Sequence, residues 1–398
     1  MPPTPSARRD TLVATGFLVA LAAVLALAVV GSLEGTIAGF EFRVRYKEVA
    51  RTTVAVWMIS LLLPSFRRVV PYRWDAADAP LAVFFVVAIV SVVFGGGHFG
   101  DIRNLWAAIG LGAIGRALFY PAERRHLFLH YFGAMALLMI AHEVLRNPEV
   151  FEFSQFSRYR LVTGNPNPLG YFFAMVAPLF LAEALAASRG RALVASGYFA
   201  AAVTGALLTF SRSAALGLMV GTILVLWHHP HRRRMLLVAA AGALVFVAVQ
   251  RPDQWLGTRA TGDTDRLRIL HTAVTLGVED PVLGIGYGMG NLEERFPDRF
   301  NELYGRRAFF HHSGNQIVDV FVGTGVLGLL CLGWWARVVF VRAWREFRSA
   351  SPRKQSPTAD QFAMLATVAL MAMLEPPMTN GWLSIVLFLA IAYARRPA

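Results

Sequence analysis

Cysteine is almost missing from this chain. Cys331 stands alone in an apolar run, so an intrachain disulfide and a zinc site built on cysteines are both excluded. Lysine is nearly absent too: Lys47 and Lys354 are the only two, and arginine carries almost all of the net charge of +13. Charged residues of any kind make up only 16% of the 398 residues, against 56% hydrophobic. A soluble domain rarely has that balance, so the composition describes a polytopic membrane protein. A basic balance is also compatible with nucleic acid. Here, however, the arginines sit in short breaks between apolar runs, which membrane topology explains and a nucleic-acid patch does not.

Apolar segments recur along the chain. The predicted spans are 11–31, 52–66, 79–96, 104–121, 127–145, 166–187, 192–210, 213–227, 235–250, 314–336, 361–374 and 381–394. The expected architecture is an all-α polytopic integral membrane protein of about twelve transmembrane helices. The first segment reads as an uncleaved helix rather than a signal peptide, and Arg8-Arg9 as a plain cytoplasmic anchor rather than a twin-arginine signal. With the N-terminus inside, every inside break is arginine-rich: RRVVPYR (67–73), ERRH (123–126), SRGR (188–191), HHPHRRR (228–234), Arg337 to Lys354, and the tail at Arg395-Arg396. That obeys the positive-inside rule and puts both termini in the cytoplasm.

The outside breaks are 32–51, 97–103, 146–165, 211–212, 251–313 and 375–380. The break at 251–313 is by far the longest, and its arginines and acids nearly balance. A connector of that length is unlike the usual short loop. It has apolar periodicity from Arg266 to Val278, which predicts an amphipathic helix lying over the membrane. Three regions follow: helices one to nine over 1–250, an outer loop over 251–313 that holds part of the site, and the last three helices with a cytoplasmic tail over 314–398.

Two glycine patterns invite a nucleotide reading. GTGVLG (323–328) lies inside an apolar span, with no preceding strand and no free helix N-terminus, so its glycines are packing positions. GIGYGMG (284–290) fails the same test and is expected as a flexible loop whose exposed N–H groups could approach a phosphate.

The polar candidates collect at the outer ends of spans. His312, Asn315, Gln316 and Asp319 have helical spacing and are expected on one face, with Asp319 about two turns down. That set reads either as a polar seam between helices or as a histidine at the outer mouth able to take a proton near neutral pH. His311 points elsewhere. Arg212, in TFSRSAALGL (209–218), sits where it needs a carboxylate or an anion, and its planar fork suits phosphate. Arg266 and Arg268 open the loop helix. Asn165 and Asn167 flank Pro166 at a helix start, as caps or as hydrogen-bonding groups for a sugar or phosphate. HHPH (228–231) lacks an acid and sits among arginines, which favours lipid headgroups over a metal.

Together these pieces resemble the O-antigen ligase / O-antigen polymerase superfamily over roughly residues 160–335. The matching elements are NPN (165–167), FSRSA (210–214), Arg266 with PVLGIGYG (281–288), and the histidine and asparagine before the span ending GTGVLG. The resemblance implies a glycosyltransferase of the bacterial inner membrane, working on its periplasmic face. The donor would be a glycan on undecaprenyl pyrophosphate. A ligase passes it to lipid A–core oligosaccharide, a polymerase to another lipid-linked repeat. Related chains are also assigned to anion or bicarbonate uptake, but a transporter should carry its polar groups near the bilayer midplane, whereas the charged candidates here cluster at the outer edge. No cofactor and no metal is expected, and membrane lipids are the other partners. Carried over, Arg212 and Arg266 would meet the pyrophosphate, with Leu270 where a tryptophan is common. From His312, Ser313 and Gly323 fit the family's spacing, while Val326 stands where a small residue belongs. Alignment on Gly325 and Gly328 instead places Asn315 correctly and puts Gly314 where the histidine belongs. His312 is taken as the active histidine, His311 held in reserve, and Arg268, Asn165, Asn167, Asn315 and Asp319 as substrate contacts.

Overall fold

The computed structural model describes residues 13, 15–17, 19–24, 27, 32–37, 40–62, 74–119, 125–146, 166–209, 211–227, 229, 231, 234, 237, 260–308, 313–349, 359–374, 384 and 387–388. The spans expected at 235–250 and 381–394 lie almost wholly outside these residues, and so do His311, His312 and Asn165.

A two-stranded antiparallel sheet comes first, β1 (Ser32–Ile37) with β2 (Phe40–Arg45), in the register Ser32↔Arg45 to Ile37↔Phe40. It is the one strand pair among the described residues, which are otherwise helical as expected. The segment alternates apolar and polar residues, the period of a strand, inside what was taken as a plain outer break. Helices follow: α1 (Tyr46–Leu61), α2 (Asp78–Gly95), α3 (Phe99–Phe119), α4 (Arg125–Arg146), α5 (Pro166–Ala186), α6 (Arg189–Leu208), α7 (Arg212–Leu226), α8 (Ala260–Glu279), α9 (Met289–Tyr304), α10 (Gln316–Ser349) and α11 (Ala359–Ala372).

Four helices among the described residues are long and apolar enough to cross a membrane: Asp78–Gly95, Asn167–Ala186, Arg189–Leu208 and Gln316–Ser349. Shorter apolar helices run over Thr15–Val24, Leu129–Leu145, Arg212–Leu226 and Gln361–Ala372. The chain is thus a helical membrane protein.

Helix α5 is the hub. It is apolar all round, and Leu169 to Phe180 is buried without interruption. It packs on α4, α6, α7 and α11. Glycines let neighbours close on it: Gly205 of α6 sits against the Phe173 ring, and Gly221 of α7 against Pro178.

Two boundaries differ from the reading of the sequence. Helix α1 starts at Tyr46, before the span predicted at 52, with Glu48 reaching back to the Arg45 N–H at 2.6 Å. Helix α10 runs on to Ser349, through most of what was read as an inside break. No glycine or proline stops it there. Trp335, Val339, Ala343 and Phe347 keep an apolar stripe four residues apart, and Phe347 and Trp344 meet Phe362 of α11.

Candidate functional site

Helix α10 begins in a chain of polar contacts. The Asn315 carboxamide oxygen accepts the N–H groups of Ile317 at 2.9 Å and Val318 at 3.3 Å, so Asn315 caps the helix. Its amide nitrogen donates to the Met373 carbonyl at 3.1 Å, just past the end of α11. Ser313 Oγ donates to the Asn315 carbonyl, and the Ser313 N–H donates to Asp319 Oδ1 at 2.8 Å. Gly314 turns the chain at φ +80°, a conformation that suits glycine. The helix therefore starts at Gln316, not two residues earlier. Asn315 thus precedes the helix that carries Asp319, and a hydrogen-bonded turn from Ser313 joins this segment to the carboxylate. Asp319 sits in the first turn of α10 and is only 8% exposed.

Arg212 opens α7 with its side chain exposed. Ser211 is the N-cap, accepting the Ala214 N–H at 3.4 Å. Asn167 lies in the first turn of α5, and three residues on, Gly170 faces Thr209, Ser211 and Ala214 so closely that a Cβ there would be 2.7 Å from the Thr209 hydroxyl. The start of α5 therefore meets Thr209, Ser211 and Ala214 where α6 passes to α7. Helix α11 runs antiparallel to α7, with Gly217 against Met371 and Thr367 Oγ1 donating to the Gly217 carbonyl at 3.2 Å. Tyr171 of α5 donates to the Val368 carbonyl at 2.5 Å. These contacts bring Asn167, Arg212, the Asn315 cap and Met373 to one end of the bundle.

Arg266 and Arg268 lie on α8, which extends from Ala260 and contains the helix predicted from Arg266 to Val278. Arg266 is exposed. Arg268 covers the Tyr304 ring at 5.4 Å, and the Tyr304 hydroxyl meets His271 Nδ1 at 2.8 Å. Helices α8 and α9 share a small core of Ile269, Ala273, Leu276, Leu292, Phe296 and Phe300, closed by Ile285 and Val322. The long break is thus a folded cap set on α10, with Gly277 against Phe321 and Val322.

The glycine run between α8 and α9 overturns its expectation. Residues 284–287 are buried, not an exposed phosphate loop. Gly284, Gly286 and Gly288 have φ of +70°, +108° and +119°. This turn plugs a break in α10. At Gly325 the backbone leaves the helix (φ 63°, ψ −162°), and the freed groups are satisfied across the gap. The Val326 N–H donates to the Pro281 carbonyl at 2.8 Å, the Leu327 N–H to Val282 at 3.4 Å, and the Ile285 N–H to the Val322 carbonyl at 2.8 Å. Irregular backbone inside a membrane protein survives only where protein supplies such partners. The two glycine motifs are the halves of one interlock. The GTG glycines are buried packing positions as expected, but in a broken helix, not a continuous one.

The plug also reaches α2 and α3. The Tyr287 N–H donates to Ser91 Oγ at 3.1 Å, Asn291 donates to the Gly95 and Ile285 carbonyls, and the Gly290 N–H reaches Asp101 at 3.4 Å. Burial pushes the Tyr287 hydroxyl well above its ordinary pKa, and Asp101 and Asp319 push it further, so it stays a neutral phenol. Neither Tyr287 nor Ser91 stood out in the sequence. The plug's trace in the sequence was two GxG patterns, one expected as packing positions within a span and the other as a flexible loop.

Charges at the opposite end are committed to one another. Arg116 grips Asp78 with two bonds of 3.1 and 2.8 Å, and Arg342 bridges Asp75 at 3.5 Å. A mainly apolar cavity beside them is lined by Trp57, Trp74, Trp106, Asp78 and Arg116. Its charges are spent on each other, so it is not where a charged ligand would be held.

Residues 197–333 match the family model described as O-antigen ligase (Wzy_C). The match runs from α6 through α7, the α8–plug–α9 cap and the first half of α10. Enzymes of that family transfer lipid-linked glycans. No curated protein matches the chain.

Proposed function

We propose that this protein is an O-antigen ligase, moving a glycan from undecaprenyl pyrophosphate to a hydroxyl of lipid A–core oligosaccharide on the periplasmic face of the inner membrane. The observation that carries the reading is the O-antigen ligase match over 197–333, which includes Arg212, Arg266 and His312. The meeting of the starts of α5, α7 and α10 at one bundle end supports it, because a donor held there would touch residues from four helices. Both termini are cytoplasmic in this reading, as the arginine-rich breaks require.

The reaction is displacement at the anomeric carbon. The acceptor hydroxyl oxygen bonds to that carbon as the bond from carbon to the pyrophosphate oxygen breaks. His312 takes the hydroxyl proton, and the lipid pyrophosphate leaves with the electron pair. Arg212 and Arg266 face the phosphates, and their attraction grows as the leaving oxygens gain charge. Arg268, Asn167, Asn165 and His311 line the approach. Asn315 serves as the helix cap that fixes the mouth.

The deciding experiment reconstitutes the full chain in liposomes with a lipid-linked glycan and lipid A–core. Glycan on lipid A is the expected product. Longer chains on the carrier lipid would make it a polymerase, and no transfer at all would sink the enzyme reading. In the same assay His312→Ala should cut turnover by about 10²- to 10⁴-fold, the usual worth of a placed general base. Arg212→Ala should chiefly weaken donor binding.

A further inference from the structure

Helix α4 carries an acid near its end that its neighbours do not use. Leu129, Phe132, Ala136, Met139 and Glu143 follow one another at spacings of three and four, so they form one stripe along the helix. The whole stripe is buried, and Glu143 is only 7% exposed. It faces α5 and α6: the Phe132 ring lies 6.1 Å from that of Phe172, and Gly133 beside it sits against Tyr198. Helix α3 ends near the Arg116–Asp78 pair, and only residues 120–124 separate it from α4, so α4 runs back toward the site end, as α6 does. His130 Nδ1 is 3.1 Å from the Tyr198 hydroxyl. Counting along both helices from His130 and Gly133 against Tyr198 puts Glu143 level with Leu208 to Ser211. At that level Gly170 of α5 packs on Thr209 and Ser211, and Arg212 opens α7. Among the described residues no hydrogen bond or ion pair engages Glu143. The preceding residue repeats the pattern, since His142 Nδ1 is shut off from solvent and has no partner among them either. A buried carboxylate left empty in a membrane protein is costly, and such groups mark sites whose occupant supplies the missing bonds.

We infer that Glu143 is a sugar-binding residue: its carboxylate accepts hydrogen bonds from hydroxyls of the sugar ring joined to the pyrophosphate at Arg212. This rests on the reading of the protein as a lipid-linked-glycan transferase. Charge selects the ligand. An ionised carboxylate only accepts hydrogen bonds, and its two oxygens suit two neighbouring ring hydroxyls. It repels a phosphate, and more strongly in apolar surroundings, so it belongs on the glycan side of the Arg212 guanidinium. A buried acceptor also discriminates well, because a sugar lacking the hydroxyl leaves it unpaired. Glu143 precedes the matched residues 197–333, so sugar choice and phosphate binding are carried by different parts of the chain.

The test measures binding by the full chain in nanodiscs with two probes, a lipid-linked glycan and undecaprenyl pyrophosphate without glycan. Glu143→Gln should raise the Kd of the glycan-bearing lipid by at least about tenfold, the usual effect of losing a hydrogen bond to a charged group. The Kd of the bare lipid should stay as in the wild type. Equal weakening of both probes, or of neither, overturns the inference. The unaltered protein gives a second readout that needs no variant to fold. A hydrophobic carbodiimide labels the Glu143 carboxyl, and peptide mass spectrometry measures the yield. The glycan-bearing lipid should protect Glu143 and the bare lipid should not; equal protection by both, or by neither, overturns the sugar contact. Glycan-dependent protection in a protein that transfers nothing fells the transferase reading and leaves the sugar site. Transfer by the wild-type chain, with the Glu143→Gln Kd unchanged, does the reverse.

Discussion

Helices α5 and α10 both cross the bundle, and they solve opposite problems. Helix α5 carries Pro178 and two prolines at its start, yet it runs unbroken from Pro166 to Ala186. Its side chains are apolar on every side, so it needs only close neighbours, which the glycines of α6 and α7 allow. Helix α10 has a polar first turn and breaks at Gly325, where its freed backbone groups need outside partners. The central helix is held by filling space. The site helix is held by directed hydrogen bonds from a segment some forty residues earlier. The first kind of order tolerates many apolar residues, whereas the second depends on particular glycines and particular carbonyls.

That contrast can be broken most severely where charges or backbone have no substitute. Asp78→Asn would remove the two short charged bonds to the buried Arg116 and leave it Asp75 at 4.0 Å, and a loss of about 3 kcal/mol is expected in detergent unfolding. An intact melting curve would show that Arg116 finds another acid. Gly325→Ala comes next: a side chain there meets the Val282 carbonyl and cannot adopt φ 63°, ψ −162° without strain of about 1–3 kcal/mol before the clash is counted. Limited proteolysis should then cut the α8–α9 cap faster, because its plug has been expelled; an unchanged cleavage pattern would mean the interlock is dispensable. Ser91→Ala removes the acceptor for the Tyr287 N–H together with the hydroxyl's own bond to the Ala88 carbonyl, and about 1–3 kcal/mol should go with it. At the small end, Glu294→Ala deletes a half-exposed contact with His98 and should change stability by less than about 1 kcal/mol. If that surface change matched Ser91→Ala, the contrast between directed and incidental contacts would be blunted.

Much of the helix pattern was legible in the chain. Apolar runs bounded by arginine marked α2, α4, α5, α6, α7 and α11 within a few residues, because a membrane demands long apolar segments and leaves charge only at their ends. The periodicity around Arg266 to Val278 marked α8, but α9 was missed. Pro297 and its many charges look like loop, although Leu292, Phe296 and Phe300 recur at helical spacing. The proposed site arginines, Arg212 and Arg266, drew notice because an arginine at the edge of a span needs an explanation. The mouth of α10 was half legible. Asn315, Gln316 and Asp319 were visible as polar groups, but helical spacing put Asn315 on the helix, whereas the turn at Gly314 moves the helix start to Gln316.

The chain by itself determined that this is a membrane protein of apolar helices, that arginine and not metal-binding cysteine stands at its edges, and which family its middle third resembles. Those follow from composition and local period, which each segment carries alone. Only the tertiary structure decided that GIGYG fills the gap in GTG, that Asn315 ties α10 to α11, and that Asp319 turns back to Ser313. Each joins groups that have no local partner. A freed carbonyl or a buried carboxylate oxygen states a need in the sequence, and the fold alone says what meets it.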